Sequence, residues 1–130
     1  MQDSIFTKII RGDIPSYKIF ENDTIYAFLD IFPVQPGHVL IVPKQQIDRF
    51  EELPDDLYRE LMSVVKNLAR HMRATLEVER ITMKVEGFDV PHAHIHLIPC
   101  NEATDFWVKP NHEAPPDHEA LQAMAQKLAL

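Results

Sequence analysis

The sequence has few of the features that mark secreted or membrane proteins. Its 130 residues include a single cysteine, Cys100, so no disulfide can form within the chain. This composition is typical of a reducing compartment, and we predict a cytoplasmic protein. No apolar run approaches the ~20 residues that span a membrane. The first residues, Met1 to Ser4, lead into no signal-type apolar stretch, so we predict no membrane partner.

Basic residues are also scarce relative to acidic ones. Thirteen lysines and arginines stand against twenty aspartates and glutamates, which leaves a formal net charge of −7. A groove for nucleic acid must neutralise a string of phosphates, so this balance argues against a nucleic-acid partner. A single small anion can still be bound by backbone N–H groups and a few side chains. We therefore predict a small-molecule ligand.

What remains is an ordinary globular composition, with 45% hydrophobic and 25% charged residues. A chain of 130 residues can bury a core without disulfides or metals. We find no internal repeat, low-complexity tract or linker, and therefore predict one domain over residues 1–130.

Periodicity predicts both helices and strands. Apolar residues at helical spacing predict a short helix over 5–11, a long helix over 55–75 and a closing helix capped by Asp117. Runs of β-formers predict five strands, at 17–20, 25–29, 39–42, 81–85 and 92–98. Residues 101–116 are predicted to be a polar loop. Because helices and strands do not alternate regularly, we predict an α+β fold with a mainly antiparallel five-stranded sheet, one long helix and two short ones.

The most specific local pattern is the alternation of His92, His94 and His96 with apolar residues. In a strand, alternate side chains share a face, so this spacing predicts three imidazoles on one side of the sheet. Three interpretations are open at this point. The histidines could be hydrogen-bonded on a polar face, they could bind a metal ion, or one neutral imidazole could act as a nucleophile that the others orient.

The segment His92–Ile98 resembles the signature of the histidine triad family, His-φ-His-φ-His-φ-φ with φ apolar. Residues 5–15, 27–31 and 36–43 resemble further parts of that family, in the same order. Agreement at four separate places is more specific than the triad alone. The chain is therefore identified as a member of the family, and its opening segment is similar to the nucleotide-binding branch.

The resemblance implies an enzyme that cleaves purine nucleotides at the α-phosphorus. In the family the middle histidine of the triad attacks phosphorus and forms a nucleotidyl-histidine, which water resolves; that role falls on His94. By similarity, His92 and His96 contact phosphate oxygens or orient His94, and His38 supports the same network. Covalent catalysis of this kind divides one difficult displacement into two.

The resemblance also implies a nucleotide pocket. Asp30 matches the residue that accepts hydrogen bonds from the ribose hydroxyls. The apolar slot for the base is expected to consist of Ile5, Phe6, Ile9, Phe28 and Ile31. The loop Gly87–Val90 matches the one whose backbone amides approach the phosphates, with Gly87, Asp89 and Val90 as contacts.

Two departures from the family pattern bear on chemistry. Zinc-bearing members have cysteines and a histidine where this chain has Ser4, Thr7 and Gln46, so only His92 remains and we predict no metal and no cofactor. Many members also carry a hydroxyl where Asp89 stands. Asp89 could face the leaving group and favour a cationic amine, or it could brace the shortened loop by accepting backbone hydrogen bonds.

Three functions follow from the resemblance. A nucleoside phosphoramidase is the leading prediction, and a dinucleoside polyphosphate hydrolase is the second. The third is a purine-nucleotide-binding regulatory protein whose turnover is incidental. Family members pair through the long helix and a sheet edge, so a homodimer is expected.

Overall fold

The protein is described here by a computed structural model that covers residues 2–130. Its elements are α1 (Ile5–Ile10), β1 (Lys18–Glu21), β2 (Ile25–Leu29), β3 (Val39–Pro43), a 3-10 turn (Phe50–Glu52), α2 (Asp55–Leu76), β4 (Arg80–Lys84), β5 (Ile95–Cys100), α3 (Ala103–Phe106) and α4 (His118–Leu128). The five strands form one sheet in the order β1-β2-β3-β5-β4. All neighbouring strands are antiparallel, which confirms the predicted α+β class and sheet.

The β1–β2 hairpin is closed by a side chain. The Oδ1 atom of Asn22 accepts hydrogen bonds from the backbone N–H groups of Thr24, at 3.0 Å, and Ile25, at 2.8 Å. Asparagine commonly stabilises turns in this way, by bonding to backbone groups two or three residues ahead. The hairpin predicted from the Glu21–Asp23 turn is therefore confirmed.

The core lies on both faces of the central strands. Every residue of β2, β3 and β5 is buried, as the continuous apolar run of β3 predicted. The amphipathic helix α2 covers one face, where Leu61, Leu68 and Met72 join the main core. The opposite face receives α1, whose Phe6 and Ile9 pack against side chains of β2 and β3. Because α1 is short, much of this second face remains open for a site.

The long helix matches its prediction closely. It begins directly after Pro54 with two acidic residues, which suit the positive end of a helix dipole. It ends at Leu76, one residue beyond the predicted end, where Glu77 adopts a left-handed conformation with φ of 53°. A left-handed residue is a common way to end a helix, because it lets its N–H bond back to the last turn.

Two predicted boundaries are wrong. Strand β5 begins at Ile95, so His92 and His94 precede the strand and the triad does not share one regular strand face. The predicted loop 101–116 contains the short helix α3, which Glu102 and Asp105 stabilise through a reciprocal capping box. None of the helices within residues 2–130 is long and apolar enough to cross a membrane.

Candidate active site

A cavity of about 320 Å³ opens on the sheet face that carries α1. It is near the lower end of the size range of small-molecule sites. Eleven of the predicted site residues line it, namely Ile5, Phe6, Ile9, Phe28, Asp30, Ile31, His38, Asp89, Val90, His94 and His96. The two predicted residues that do not line it are His92 and Gly87.

The floor of the cavity is a row of side chains across four strands. Phe28 pairs with Leu40, Leu40 pairs with His96, and His96 pairs with Lys84. Directly paired residues in an antiparallel sheet present their side chains on the same face. The sheet register therefore places an apolar surface at the β2 end of the row and two nitrogen-bearing side chains at the β4 end.

The ring of His94 is oriented by the backbone. Its Nδ1 lies 2.7 Å from the carbonyl oxygen of His92. A carbonyl oxygen can only accept, so Nδ1 carries the proton and a neutral His94 has its lone pair on Nε2. The edge of Phe6 supports the ring, at a centroid distance of 4.9 Å. This tautomer is the one that a nucleophilic imidazole requires.

A second chain of hydrogen bonds determines the protons on His38 and His96. The backbone N–H of Val34 donates to Nδ1 of His38 over 3.0 Å. Nε2 of His38 must then carry the proton, and it donates to Nδ1 of His96 over 2.9 Å. His96 therefore has its proton on Nε2. That atom is buried and has no hydrogen-bond partner among residues 2–130.

Burial keeps these two imidazoles neutral. It lowers the pKa of His38 to about 4, with a further decrease from the nearby charge of Lys84. Burial also lowers the pKa of His96 to about 3, and the neighbouring His94, His38 and Lys84 act in the same direction. At neutral pH, His96 is consequently an uncharged N–H donor, beside the Nε2 lone pair of His94.

His92 does not reach the cavity with its side chain. Its ring is fully buried, Nε2 donates to the carbonyl oxygen of Pro43 over 2.7 Å, and Nδ1 accepts from the hydroxyl of Ser4 over 2.7 Å. Contact with a phosphate would need a free ring nitrogen, which His92 lacks. The other predicted role, orienting His94, matches the bond that its backbone carbonyl accepts.

The residues at the family's zinc position form a hydrogen-bond network instead. Oε1 of Gln46 accepts from the backbone N–H of Ser4, at 2.8 Å, and from the hydroxyl of Thr7, at 2.7 Å. Zinc sites in proteins are built from thiolate, imidazole and carboxylate ligands. One imidazole with two hydroxyls and an amide, already bonded to one another, does not fit a zinc ion.

Asp30 lies where β2 ends and lines the cavity. One carboxylate oxygen accepts from the backbone N–H of Phe32 over 2.8 Å. The other is 3.7 Å from Nε2 of His38, which is too long for a hydrogen bond. Burial raises the pKa of Asp30, partly offset by the bond from Phe32. The second oxygen therefore has no hydrogen bond from His38 to compete with a ligand hydroxyl.

The loop before the triad differs in detail from the prediction. Gly87 adopts a φ of 77° with open space around it, and lines a neighbouring cavity. Asp89 is exposed and lines the main cavity. Whether Asp89 faces the leaving group or braces its loop stays a prediction.

Three ionisable residues of the cavity were not predicted from the sequence, namely Lys84, Glu86 and His112. Lys84 could have been found, because a correct register between β4 and β5 pairs it with His96. His112 belongs to the segment 101–116, which was predicted to be a polar loop. It lies at the cavity with its ring edge-to-face on Phe32, at a centroid distance of 5.0 Å.

Known proteins resemble the chain in sequence and in structure. Adenosine 5′-monophosphoramidase HNT1 of Candida albicans is 37% identical, over 95% of this chain and 88% of its own length. HNT1 of Saccharomyces cerevisiae is 42% identical over 73% of this chain, and the match spans only 61% of the yeast protein. A solved HIT family protein from Bacillus subtilis superposes with a TM-score of 0.76 at 34% identity, covering 98% of this chain and 95% of that one.

A family model agrees with these individual matches. The model of the HIT domain matches residues 11–103, which include β1 to β5, the long helix and all three histidines of the triad. A match over most of the chain, together with a relative above 30% identity over nearly its whole length, is decisive. The chain belongs to the histidine triad family, as its opening helix, central strands and His92–Ile98 segment had indicated.

Proposed function

We propose that the protein is a nucleoside 5′-phosphoramidate hydrolase that acts through a nucleotidyl-His94 intermediate. The observation that carries this proposal is a pair of neighbouring ring nitrogens, of which one has a free lone pair and the other a free N–H. His94 offers a lone pair on Nε2, and His96 offers a buried, unpartnered Nε2–H beside it. The similarity to two fungal adenosine 5′-monophosphoramidases supports the substrate class.

The reaction divides into two displacements at phosphorus. In the first, Nε2 of His94 forms a bond to the α-phosphorus, and the P–N bond of the substrate breaks with its electron pair going to nitrogen. The nitrogen, protonated from solvent, leaves as the amine. In the second, water attacks the same phosphorus, and the bond to His94 breaks with its electron pair returning to Nε2. The N–H of His96 stabilises charge on the phosphoryl oxygens in both steps.

The nucleoside occupies the opposite end of the cavity. Phe28 and the α1 side chains Phe6 and Ile9 form the apolar slot for the base. The free oxygen of Asp30 accepts from the ribose hydroxyls. Exposed carboxylates of Glu86 and Asp89 at the mouth favour a protonated amine over the anionic leaving group of a dinucleoside polyphosphate.

The proposal is tested with His94→Ala. We expect turnover of adenosine 5′-monophosphoramidate to fall to background while the Kd for AMP, measured by calorimetry, stays within a few fold, because the base slot and ribose contact are retained. His118→Ala is the matched control, since His118 starts α4 and lies outside the cavity. Turnover close to wild type in His94→Ala would refute the covalent route. Loss of turnover in both variants would point to a general effect of histidine removal.

We further propose that the protein forms a homodimer through an edge of its sheet. Strand β4 is at the edge of the sheet, and the apolar side chains of Met83 and Val85 are exposed there. An uncovered edge strand favours pairing with a second chain. Light scattering is expected to give twice the mass of one chain, and Met83→Lys is expected to shift that mass toward the monomer. A monomeric wild-type protein at micromolar concentration would exclude this assembly.

A cytoplasmic location belongs to the same proposal. The one cysteine, Cys100, is buried and free, which suits a reducing compartment. Fractionation of the source cells with an antibody to the protein tests this location, and recovery in a secreted or membrane fraction would contradict it.

A further inference from the structure

Glu86 stands beside the reacting nitrogens. A carboxylate oxygen of Glu86, a ring nitrogen of His94 and a ring nitrogen of His96 all lie within 4.8 Å of one another. Glu86 is exposed on the loop that follows β4. Among the ion pairs that form within residues 2–130, none involves Glu86, so its carboxylate is not held by a cation elsewhere.

Glu86 also stands at a junction between two cavities. The second cavity, of about 290 Å³, is lined by Phe50 and Phe88 and lies next to the nucleotide cavity. Glu86 and His94 are the two residues that line both. A group bonded to phosphorus near His94 can therefore extend past Glu86 into the second cavity, which is a route for the leaving amine and for the incoming water.

A metal ion does not explain this cluster. To bind a metal at the open position, His96 would need a lone pair on Nε2, which requires the proton on Nδ1. Nε2 of His38 would then have to accept, which would put a proton on its Nδ1, opposite the N–H of Val34. Two N–H groups would then face each other in a buried site, and the hydrogen bond from Val34 would be lost. The hydrogen-bond chain thus favours the tautomer in which Nε2 of His96 carries a proton and can donate a hydrogen bond.

We infer that Glu86 is the general base for the second half of the reaction, an inference that rests on the proposed nucleotidyl-His94 intermediate. The water oxygen forms its bond to phosphorus and the water proton passes to the Glu86 carboxylate. The bond from phosphorus to Nε2 of His94 breaks, and its electron pair returns to Nε2. The nucleoside monophosphate leaves, and Glu86 loses its proton to solvent.

The distances suit this role. Reacting atoms in a prepared complex are about 3–3.5 Å apart, and a general base lies within a hydrogen bond of the proton it takes, directly or through one water. The carboxylate lies within 4.8 Å of a ring nitrogen of each histidine, so it adjoins the region that a phosphoryl group and its attacking water occupy. The leaving amine occupies the same region in the first step, so Glu86 lies beside the leaving amine in that step and beside the attacking water in the second.

The variant Glu86→Gln tests this assignment, because it keeps the shape and removes the base. We expect a burst of one ammonia per active site with adenosine 5′-monophosphoramidate, followed by turnover about 100-fold or more below wild type, within the range usual for loss of a general base. Intact-mass spectrometry should detect an adenylyl group on the variant, and peptide mapping should place it on His94. Glu79→Gln removes the same charge from an exposed residue outside both cavities, and is expected to match wild type.

Three results would overturn the inference. Turnover of Glu86→Gln within two-fold of wild type would show that no base is needed there. Slow turnover without an accumulated adduct would place Glu86 in substrate binding or in the first step. If His94→Ala keeps wild-type turnover and no variant forms an adduct, the covalent route itself fails and the Glu86 assignment fails with it. This last result can be told apart from the first two, because in those cases His94→Ala still loses its turnover.

Discussion

The chemistry of the site depends on where single protons lie on three imidazoles. A carbonyl oxygen orients His94, and a backbone N–H starts the chain through His38 to His96. Each of these backbone groups can play only one role, donor or acceptor, so the protons on the rings are determined without any charged partner. A nucleophilic nitrogen and a donating nitrogen thereby adjoin each other before substrate arrives, which is the preorganisation that electrostatic catalysis requires.

At the residue scale, Asp30→Ala is expected to weaken AMP binding by about 1.5–3 kcal/mol, the range for hydrogen bonds to a charged group. The reason is that one oxygen of Asp30 is available to the ribose hydroxyls. Calorimetry with AMP and with 2′,3′-dideoxy-AMP measures the effect, and the dideoxy ligand should lose much less on mutation. Equal losses of binding free energy for both ligands would mean that Asp30 only stabilises its own turn, by accepting the hydrogen bond from Phe32.

At the element scale, helix α1 is tied to the triad by polar contacts. Ser4 caps the helix by accepting from the N–H of Thr7 over 3.0 Å and donates to the ring of His92. His92 in turn supplies the carbonyl that orients His94. The helix that carries half of the apolar slot is therefore coupled to the nucleophile through neutral hydrogen bonds among Ser4, Thr7, Gln46 and His92.

The change Ser4→Ala tests this coupling. It removes the N-cap and leaves Nδ1 of the buried His92 without its donor. We expect the free energy of unfolding to fall by about 1.5–5 kcal/mol, the sum of a lost cap and an unsatisfied buried acceptor. Urea denaturation measures this loss. Ser63→Ala, at an exposed position of α2, is the control and should change stability little. An equal effect in both variants would contradict the coupling.

At the scale of the whole molecule, the two neutral histidines make stability depend on pH. In the unfolded chain a histidine takes up a proton below a pKa of about 6.5. In the folded protein the pKa is about 4 for His38 and about 3 for His96, so both rings take up their protons only at a lower pH. The unfolded state therefore binds more protons over this interval, and stability falls as the pH falls from 6.5 toward 4.

We expect the free energy of unfolding in urea to decrease between pH 7 and pH 4.5, and the decrease to be smaller in the double variant His38→Asn with His96→Asn. Neither asparagine titrates, so the contribution of both groups disappears from the pH dependence. The variant His118→Asn, at an exposed position outside the cavity, serves as the control and should leave the decrease nearly unchanged. The same decrease in all three proteins would show that carboxylates alone govern acid stability.

Local sequence determined much of the molecule. The strands β2 and β3, the stripe of α2 and the turn at Asn22 follow from apolar spacing and turn chemistry within a few residues. The triad spacing and three further segments indicated the family, which in turn named half of the residues that line the cavity. These inferences succeeded because each rests on the covalent neighbours of a residue, which the chain order specifies completely.

Only the tertiary structure decided what the triad histidines do. Strand β5 starts at Ile95 rather than His92, which turns the ring of His92 away from the cavity toward Ser4 and Pro43. The proton on His96 depends on His38, 58 positions away in the sequence. Lys84 and Glu86 reach the site through the β4–β5 register and the loop that follows β4. Such contacts arise from the pairing of distant segments, and hydrogen-bond direction and burial are consequences of that pairing.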